Sequence, residues 1–305
     1  MTNPFDGRAL VLAGHGCADD GPYLRFNDNK TGEVLRFPVR GRTFSLRKLP
    51  RRRCTGRFDL ATFQESVCPL DVELLPDSKE TMCPACIEAT GFNPSFYFAA
   101  SVSPQQRAYN LTPHFVYLAY FSPQHVKAGI SSETRGIERL LEQGARAARI
   151  AGRFANADEA RALEAELCAQ PGILETMRSS LKARLLAEER YDAAEAARVL
   201  DEAAARLAAV SAVAEAGFSP EEVRDLSPFC FGGASPDVRD LQLADGADDE
   251  CGGRCLGMVG SSLVLEQGGI GFVVSLKEWE SHEVEVLDGQ VTCSFEAEPQ
   301  QFSLF

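Results

Sequence analysis

The 305-residue chain has no run approaching the ~20 apolar residues that a membrane span needs, so no spanning helix is expected. Its start, Met1-Thr2-Asn3-Pro4-Phe5-Asp6, has neither a basic stretch nor an apolar one. No secretory signal is visible, and a cytoplasmic location is the expectation. No internal repeat is present, which argues against a repeat architecture. Pro and Gly are missing from residues 173–216, and no acidic residue lies between Glu33 and Asp59. What is present is an ordinary hydrophobic share of 45%, which excludes wholesale disorder. The length suggests two or three domains.

The formal net charge of −13 is unevenly spread. Residues 1–58 hold 12 Lys and Arg against 5 Asp and Glu, a net of +7, whereas residues 162–305 carry a net of −17. A basic front end joined to an acidic rear keeps a local nucleic-acid surface open, which an evenly acidic chain would argue against.

Apolar runs at Ala9–Ala13, Tyr23–Phe26 and Val34–Phe37, the last two flanking the turn residues 27–32, predict β structure over 1–50. Residues 51–112 begin with a stretch of sparse periodicity and several prolines, a small module held by something other than a core. Phe115–Tyr120 and His125–Ile130 read as strands. Ile137, Leu140, Leu141 and Ala145 then predict a helix near 133–151, and Asn156 with Glu159 reads as a capped helix start. The Ala, Leu, Glu and Arg composition of 173–217 predicts a long helical segment, read as scaffold. Short apolar runs after Leu263 predict a small C-terminal β unit within 218–295, followed by a flexible tail, 296–305. The fold class is α+β.

Ten cysteines in a chain without a visible export signal point to metal ligands or reduced thiols rather than a disulfide framework. Cys83-Pro84-Ala85-Cys86 is a C-x-x-C knuckle, and Cys54 and Cys68 lie upstream. Four thiolates from a short irregular segment suit a structural Zn2+, which supplies folding energy where hydrophobic area is small. Buried reduced thiols are the alternative. A thioredoxin-like redox pair is weaker, because the strand-to-helix setting is absent. Cys230, Cys251 and Cys255 offer only three candidates for a second site. Arg47, Lys48, Arg51, Arg52, Arg53 and Arg57 cluster around the module as a phosphate-facing surface or a solvated charge run.

Phe115-Val116-Tyr117, followed ten residues on by Lys127-Ala128-Gly129-Ile130-Ser131, resembles the two-strand signature of GIY-YIG nucleases. Phe115 stands where glycine is usual and Lys127 where the second tyrosine is usual. Arg139 falls where that superfamily places its arginine, and Ala160–Glu164 resembles the helix carrying its metal-binding glutamate. Residues 113–172 would then form a GIY-YIG-like α/β domain. The resemblance implies that Tyr117 positions or deprotonates the attacking water, beside Lys127. Arg139, supported by Arg135, would pair with the scissile phosphate, and Glu164 would hold one Mg2+. The order of segments over roughly residues 40–290, including Leu256–Leu263, is similar to a prokaryotic family of domain-of-unknown-function proteins. That family places a Cys-rich module ahead of a GIY-YIG-like unit.

Gln301-Phe302-Ser303-Leu304-Phe305 closely resembles the bacterial sliding-clamp-binding motif. Leu304 and Phe305, with Phe302, would fill an apolar pocket while the Gln301 amide fixes orientation. A terminal strand or a plug on the protein's own core is the alternative. Together these features predict a DNA replication or repair protein at the clamp. It would be either a metal-dependent, structure-specific endonuclease or an inactive zinc-containing DNA-binding accessory factor. An RNA-binding or RNA-processing protein is the third expectation.

Overall fold

A computed structural model describes residues 5, 8–18, 20–93, 101–233, 236, 240–244 and 249–297. The chain is a mixed α+β protein. Strands β1 (Ala9–Ala18), β2 (Gly21–Asp28) and β3 (Glu33–Pro38) form an antiparallel meander, and β4 (Thr43–Arg53) follows. The cysteine-bearing segment holds short strands β5 (Arg57–Phe58), β6 (Glu65–Ser66) and β7 (Glu73–Leu74), then helix α1 (Pro84–Thr90). Helix α2 (Pro104–Asn110) leads into β8 (His114–Ser122), β9 (His125–Ser132), a 3-10 turn at Glu133–Arg135, α3 (Glu138–Glu142), β10 (Ala147–Phe154) and α4 (Ala157–Cys168). Next come β11 (Ile173–Leu174), α5 (Ser179–Glu188), α6 (Ala193–Ala208), α7 (Ser211–Glu215), β12 (Arg224–Asp225) and α8 (Ser227–Phe231). The last strands are β13 (Leu241–Leu243), β14 (Glu250–Val259), β15 (Ser262–Gln267), β16 (Ile270–Ser275) and β17 (His282–Asp288). Among the described residues no helix is long and apolar enough to cross a membrane.

The N-terminal and C-terminal β stretches are not two units. They share one sheet, ordered β13-β16-β15-β14-β4-β17-β1-β2-β3, with β7 also paired to β4. β17 lies between β1 and β4, and its Val284 and Val286 join a core with Leu10, Leu12, Phe26, Phe37, Phe44 and Leu46. Each such buried side chain contributes about 1.5–3 kcal/mol, so closing the sheet across the length of the chain is strongly favoured.

The second sheet, β11-β9-β8-β10-β12, is covered on both faces, and every residue of β8 is buried. Phe115, Tyr117, Ala119 and Phe121 face α3, α5 and residues of β14–β16, whereas Val116, Leu118 and Tyr120 face α4 and α6. Burial on both sides explains why this strand reads as a continuous apolar run.

The helix expected near 133–151 is interrupted. Gly136 (φ 47°) and Gly144 (φ 77°) both take left-handed backbone that stops a helix, and from Ala147 the chain pairs with β8 as a strand. Leu140 and Leu141 are still buried, so the apolar spacing marked a real face on a shorter helix. The Asn156 cap is present: its side chain accepts from the Glu159 N–H at 2.9 Å, and Glu159 reaches back to the Ala155 N–H. The 173–217 stretch divides into three helices after the edge strand β11, and α6 buries Ala196, Leu200, Ala203, Ala204 and Leu207.

Candidate functional site

Cys54, Cys68, Cys83 and Cys86 are all buried, and their Sγ atoms lie within 4.8 Å of one another. Metal–sulfur bonds of about 2.3 Å in a tetrahedron place sulfurs about 3.8 Å apart, and the Cys68–Cys83 sulfur separation is 3.9 Å. The donor set and its spacing therefore fit a four-thiolate metal centre. Burial pushes the Cys54 thiol up to about 11 and raises Cys86 as well. Cys83, despite burial, is held below its usual value by hydrogen bonds from the Cys86 backbone and the neighbouring thiols. Among the described residues, the hydrophobics packed against the four cysteines are the partly buried Val72, Leu74 and Met82. This segment has almost no core except its cysteines.

Cys230, Cys251 and Cys255 are separately buried thiols. Burial pushes Cys230 and Cys255 up to about 12, and no second group of three or more His, Cys, Asp or Glu ligands occurs among the described residues.

The basic run does not form a free cationic surface. Arg47 pairs with Glu250 on β14 (3.4 Å) and Glu285 on β17 (3.1 Å), directly opposite it on both flanking strands. Lys48 pairs with Asp249, and Arg53 with Asp71 and Glu283. Arg52 is 8% exposed and donates to the Leu75 and Pro76 carbonyls and the Ser281 hydroxyl, organising the loop that precedes the knuckle. Only Arg51 and Arg57 of this set are exposed without an ion-pair partner among the described residues. Cross-strand charge pairing has absorbed most of the run.

Tyr117, Lys127, Arg139 and Glu164 line one cleft of about 510 Å³. They come from β8, β9, α3 and α4. In the β8–β9 register Tyr117 faces Gly129 and Ala119 faces Lys127, so Tyr117, Gly129 and Lys127 share a face. Lys127 Nζ donates to the Ala128 carbonyl at 2.9 Å and lies 5.9 Å from the Tyr117 ring centroid. Glu164, 8% exposed, forms an ion pair with Arg161, which also reaches Glu175 at 3.4 Å. Three cations, Lys127, Arg139 and Arg161, thus face two carboxylates, Glu164 and Glu175. Arg135 stands apart, in an adjoining cleft, ion-paired with Glu142. Burial raises the Tyr117 phenol above its usual value, against the pull of Arg139 and Arg135, and burial lowers Lys127.

His114, buried at the start of β8, also lines this cleft. Its Nδ1 donates to the Thr112 carbonyl at 2.7 Å, which leaves Nε2 with the lone pair. Burial lowers its value below the ordinary histidine range, so the neutral, proton-accepting form is favoured.

Gly129 has a packing reason. A Cβ there would lie 2.5 Å from the Tyr117 hydroxyl oxygen and 2.7 Å from Cζ, and Tyr117 is 1% exposed. Gly129→Ala is therefore expected to cost about 1–3 kcal/mol by overpacking and to displace Tyr117. Gly233→Ala, where the added carbon meets nothing within 4 Å, should be neutral. Denaturant unfolding of the two variants checks this.

Gln301, Phe302, Leu304 and Phe305 lie outside the described residues.

Fold and site define an α+β protein with a buried four-cysteine cluster and, beside it, a cleft in which cations outnumber carboxylates. Residues 78–284 match the model of the family described as "Protein of unknown function (DUF2797)", and the chain belongs to that family. The matched span takes in the Cys83–Cys86 knuckle, all the cleft residues and the strands through Val284. No curated protein and no solved structure matches the chain.

Proposed function

We propose that this protein is a divalent-metal-dependent endonuclease of GIY-YIG type that acts on DNA and docks on the bacterial sliding clamp through residues 301–305. One observation carries the reading. Of the five residues that the GIY-YIG resemblance assigns to catalysis, Tyr117, Lys127, Arg139 and Glu164 line a single cleft, and Arg135 stands in the adjoining one. Phosphodiester hydrolysis needs an oriented water, a base, and cations for the crowded phosphate charge. The protonated Tyr117 phenol orients the water, and His114 Nε2 supplies a neutral base in the same cleft. Arg139 pairs with the phosphate through its planar fork, with Lys127 adding charge beside it. Glu164 is the residue that would hold Mg2+, which when bound supplies charge stabilisation at the phosphate. A single protein carboxylate fits an ion that takes its remaining ligands from water and phosphate. The four cysteines hold a structural Zn2+ that orders residues 54–93.

The second reading is a DNA-binding accessory factor without cleavage. The Arg161–Glu164 ion pair favours it, because it occupies an oxygen of the metal carboxylate.

The test is incubation of the intact protein with supercoiled and branched DNA, with and without Mg2+. Nicking only with Mg2+ supports the nuclease, and binding without cleavage in any metal leaves the accessory role. For the tail, the intact chain is expected to bind purified bacterial sliding clamp at about micromolar affinity, the strength of a five-residue motif with few anchoring side chains. A variant lacking residues 301–305 should not bind. Equal binding by both would remove the clamp from the reading.

A further inference from the structure

Phe58, Phe63, Phe92 and Tyr109 belong to none of the hydrophobic cores among the described residues. They form instead a chain of ring contacts, with centroid separations of 5.7 Å (Phe58–Phe63), 6.4 Å (Phe63–Tyr109) and 6.2 Å (Phe92–Tyr109). All four line a cleft of about 430 Å³ between the cysteine module and the central unit. Phe92 is 43% exposed. Phe63 sits at φ 56°, a left-handed conformation unusual for an aromatic residue. A turn holds it there: the Asp59 carboxylate accepts from the Ala61 and Thr62 N–H groups, and the Phe63 N–H donates to the Asp59 carbonyl at 2.8 Å. The Phe63 ring is thereby held, half-buried, against Phe58 and Tyr109.

This cleft is continuous with the candidate active site. Phe92, Tyr109, Arg139 and Gln143 line both. A phosphate on Arg139 therefore places the adjoining nucleotide against the aromatic wall. Aromatic faces recognise nucleobases by stacking, and a base can offer its face only when it is unpaired. Arg135 stands in the same cleft, ion-paired with Glu142, and would meet the next phosphate only by exchanging that carboxylate for it.

We infer that the aromatic wall is a subsite for an unpaired nucleobase flanking the bound phosphate, so that the preferred substrate carries a single-stranded segment. The inference rests on the nuclease reading for the phosphate's position, and its test separates the two.

The experiment measures binding of single-stranded oligonucleotides carrying 2-aminopurine, with Mg2+ omitted, in DNA and RNA arms, beside the matched duplex. Wild-type protein should quench the probe on the single strand. Phe92→Ala, at an exposed position outside any core, should bind that strand roughly tenfold more weakly, as loss of one stacking contact implies. It should lose the quench, and its duplex affinity should fall by a smaller factor than its single-strand affinity. Phe92→Trp should restore both. A Phe92 effect in either the DNA or the RNA arm supports the subsite. Single-strand binding by Phe92→Ala and Phe63→Ala equal to wild type overturns it, and Mg2+-dependent nicking by the same preparations would then leave the nuclease reading standing. Phe92-dependent capture of single strands by a protein that never cleaves would instead sink the nuclease reading and keep the subsite.

Discussion

Replacing Cys83 with alanine is expected to empty the four-cysteine centre and unfold the segment around it. Residues 54–93 contain three short strands' worth of pairing, one seven-residue helix and almost no apolar core beyond the cysteines themselves. Structural zinc in segments of this kind contributes roughly 10–16 kcal/mol of apparent binding energy at neutral pH, and that energy is folding energy. No packing in the module offsets its loss. Metal analysis should give one zinc per wild-type chain and none for Cys83→Ala or Cys86→Ala, with rapid proteolysis within 54–93. Cys168→Ala, on α4 and outside the cluster, should keep the metal. Without metal, burial pushes the Cys54 thiol up to about 11 and raises Cys86 as well, which favours the protonated thiols near neutrality. Metal binding must displace those protons, and zinc affinity should fall as pH is lowered from about 8 to about 6. A wild-type chain that binds no metal at any pH in this range would return the cluster to buried thiols.

The loss reaches beyond the module. Phe58, Phe63 and Met82 line the cleft that adjoins Arg139, and Thr90 accepts a hydrogen bond from the Phe58 N–H. Arg52, on β4 of the large sheet, holds the same segment by donating to the Leu75 and Pro76 carbonyls.

What was legible in the sequence was local. The strands about residues 27–32, the β8–β9 hairpin, the Asn156 cap and the cysteine knuckle each depend on residues a few positions apart. The cleft residues were named through the resemblance to the GIY-YIG signature, whose residues fall here on two adjacent strands and the next two helices. What was not legible depends on distant partners. Arg47 and Arg53 look free until Glu285 and Glu283, more than 200 positions away, are set opposite them by β17. The single large sheet is invisible for the same reason. Periodicity near 137–145 was real, but Gly136 and Gly144 cut the helix, and Gly144 closes onto the Gly260 backbone from the other sheet. The aromatic wall draws on residues 58, 63, 92 and 109, which no short-range pattern links.

Glu164→Gln should lower Mg2+-dependent nicking by about 10²–10³-fold, the scale seen when one strong transition-state contact is removed. Glutamine keeps the shape and can still accept from Arg161, so folding should be nearly unchanged. What disappears is a negative charge in a cleft that already holds Lys127, Arg139 and Arg161. DNA affinity without Mg2+ should therefore hold or rise while cleavage falls, a split that misfolding would not produce. Glu175→Gln is the matched control. Its carboxylate meets the same Arg161 at 3.4 Å but is 56% exposed, where an ion pair contributes at most about 1 kcal/mol, and nicking should stay within a few-fold of wild type. Glu164→Gln cleaving as fast as wild type would take the metal away from Glu164. In the accessory reading neither protein cleaves, and the only effect of Glu164→Gln is tighter binding, because one negative charge is gone from the cleft that faces the phosphate.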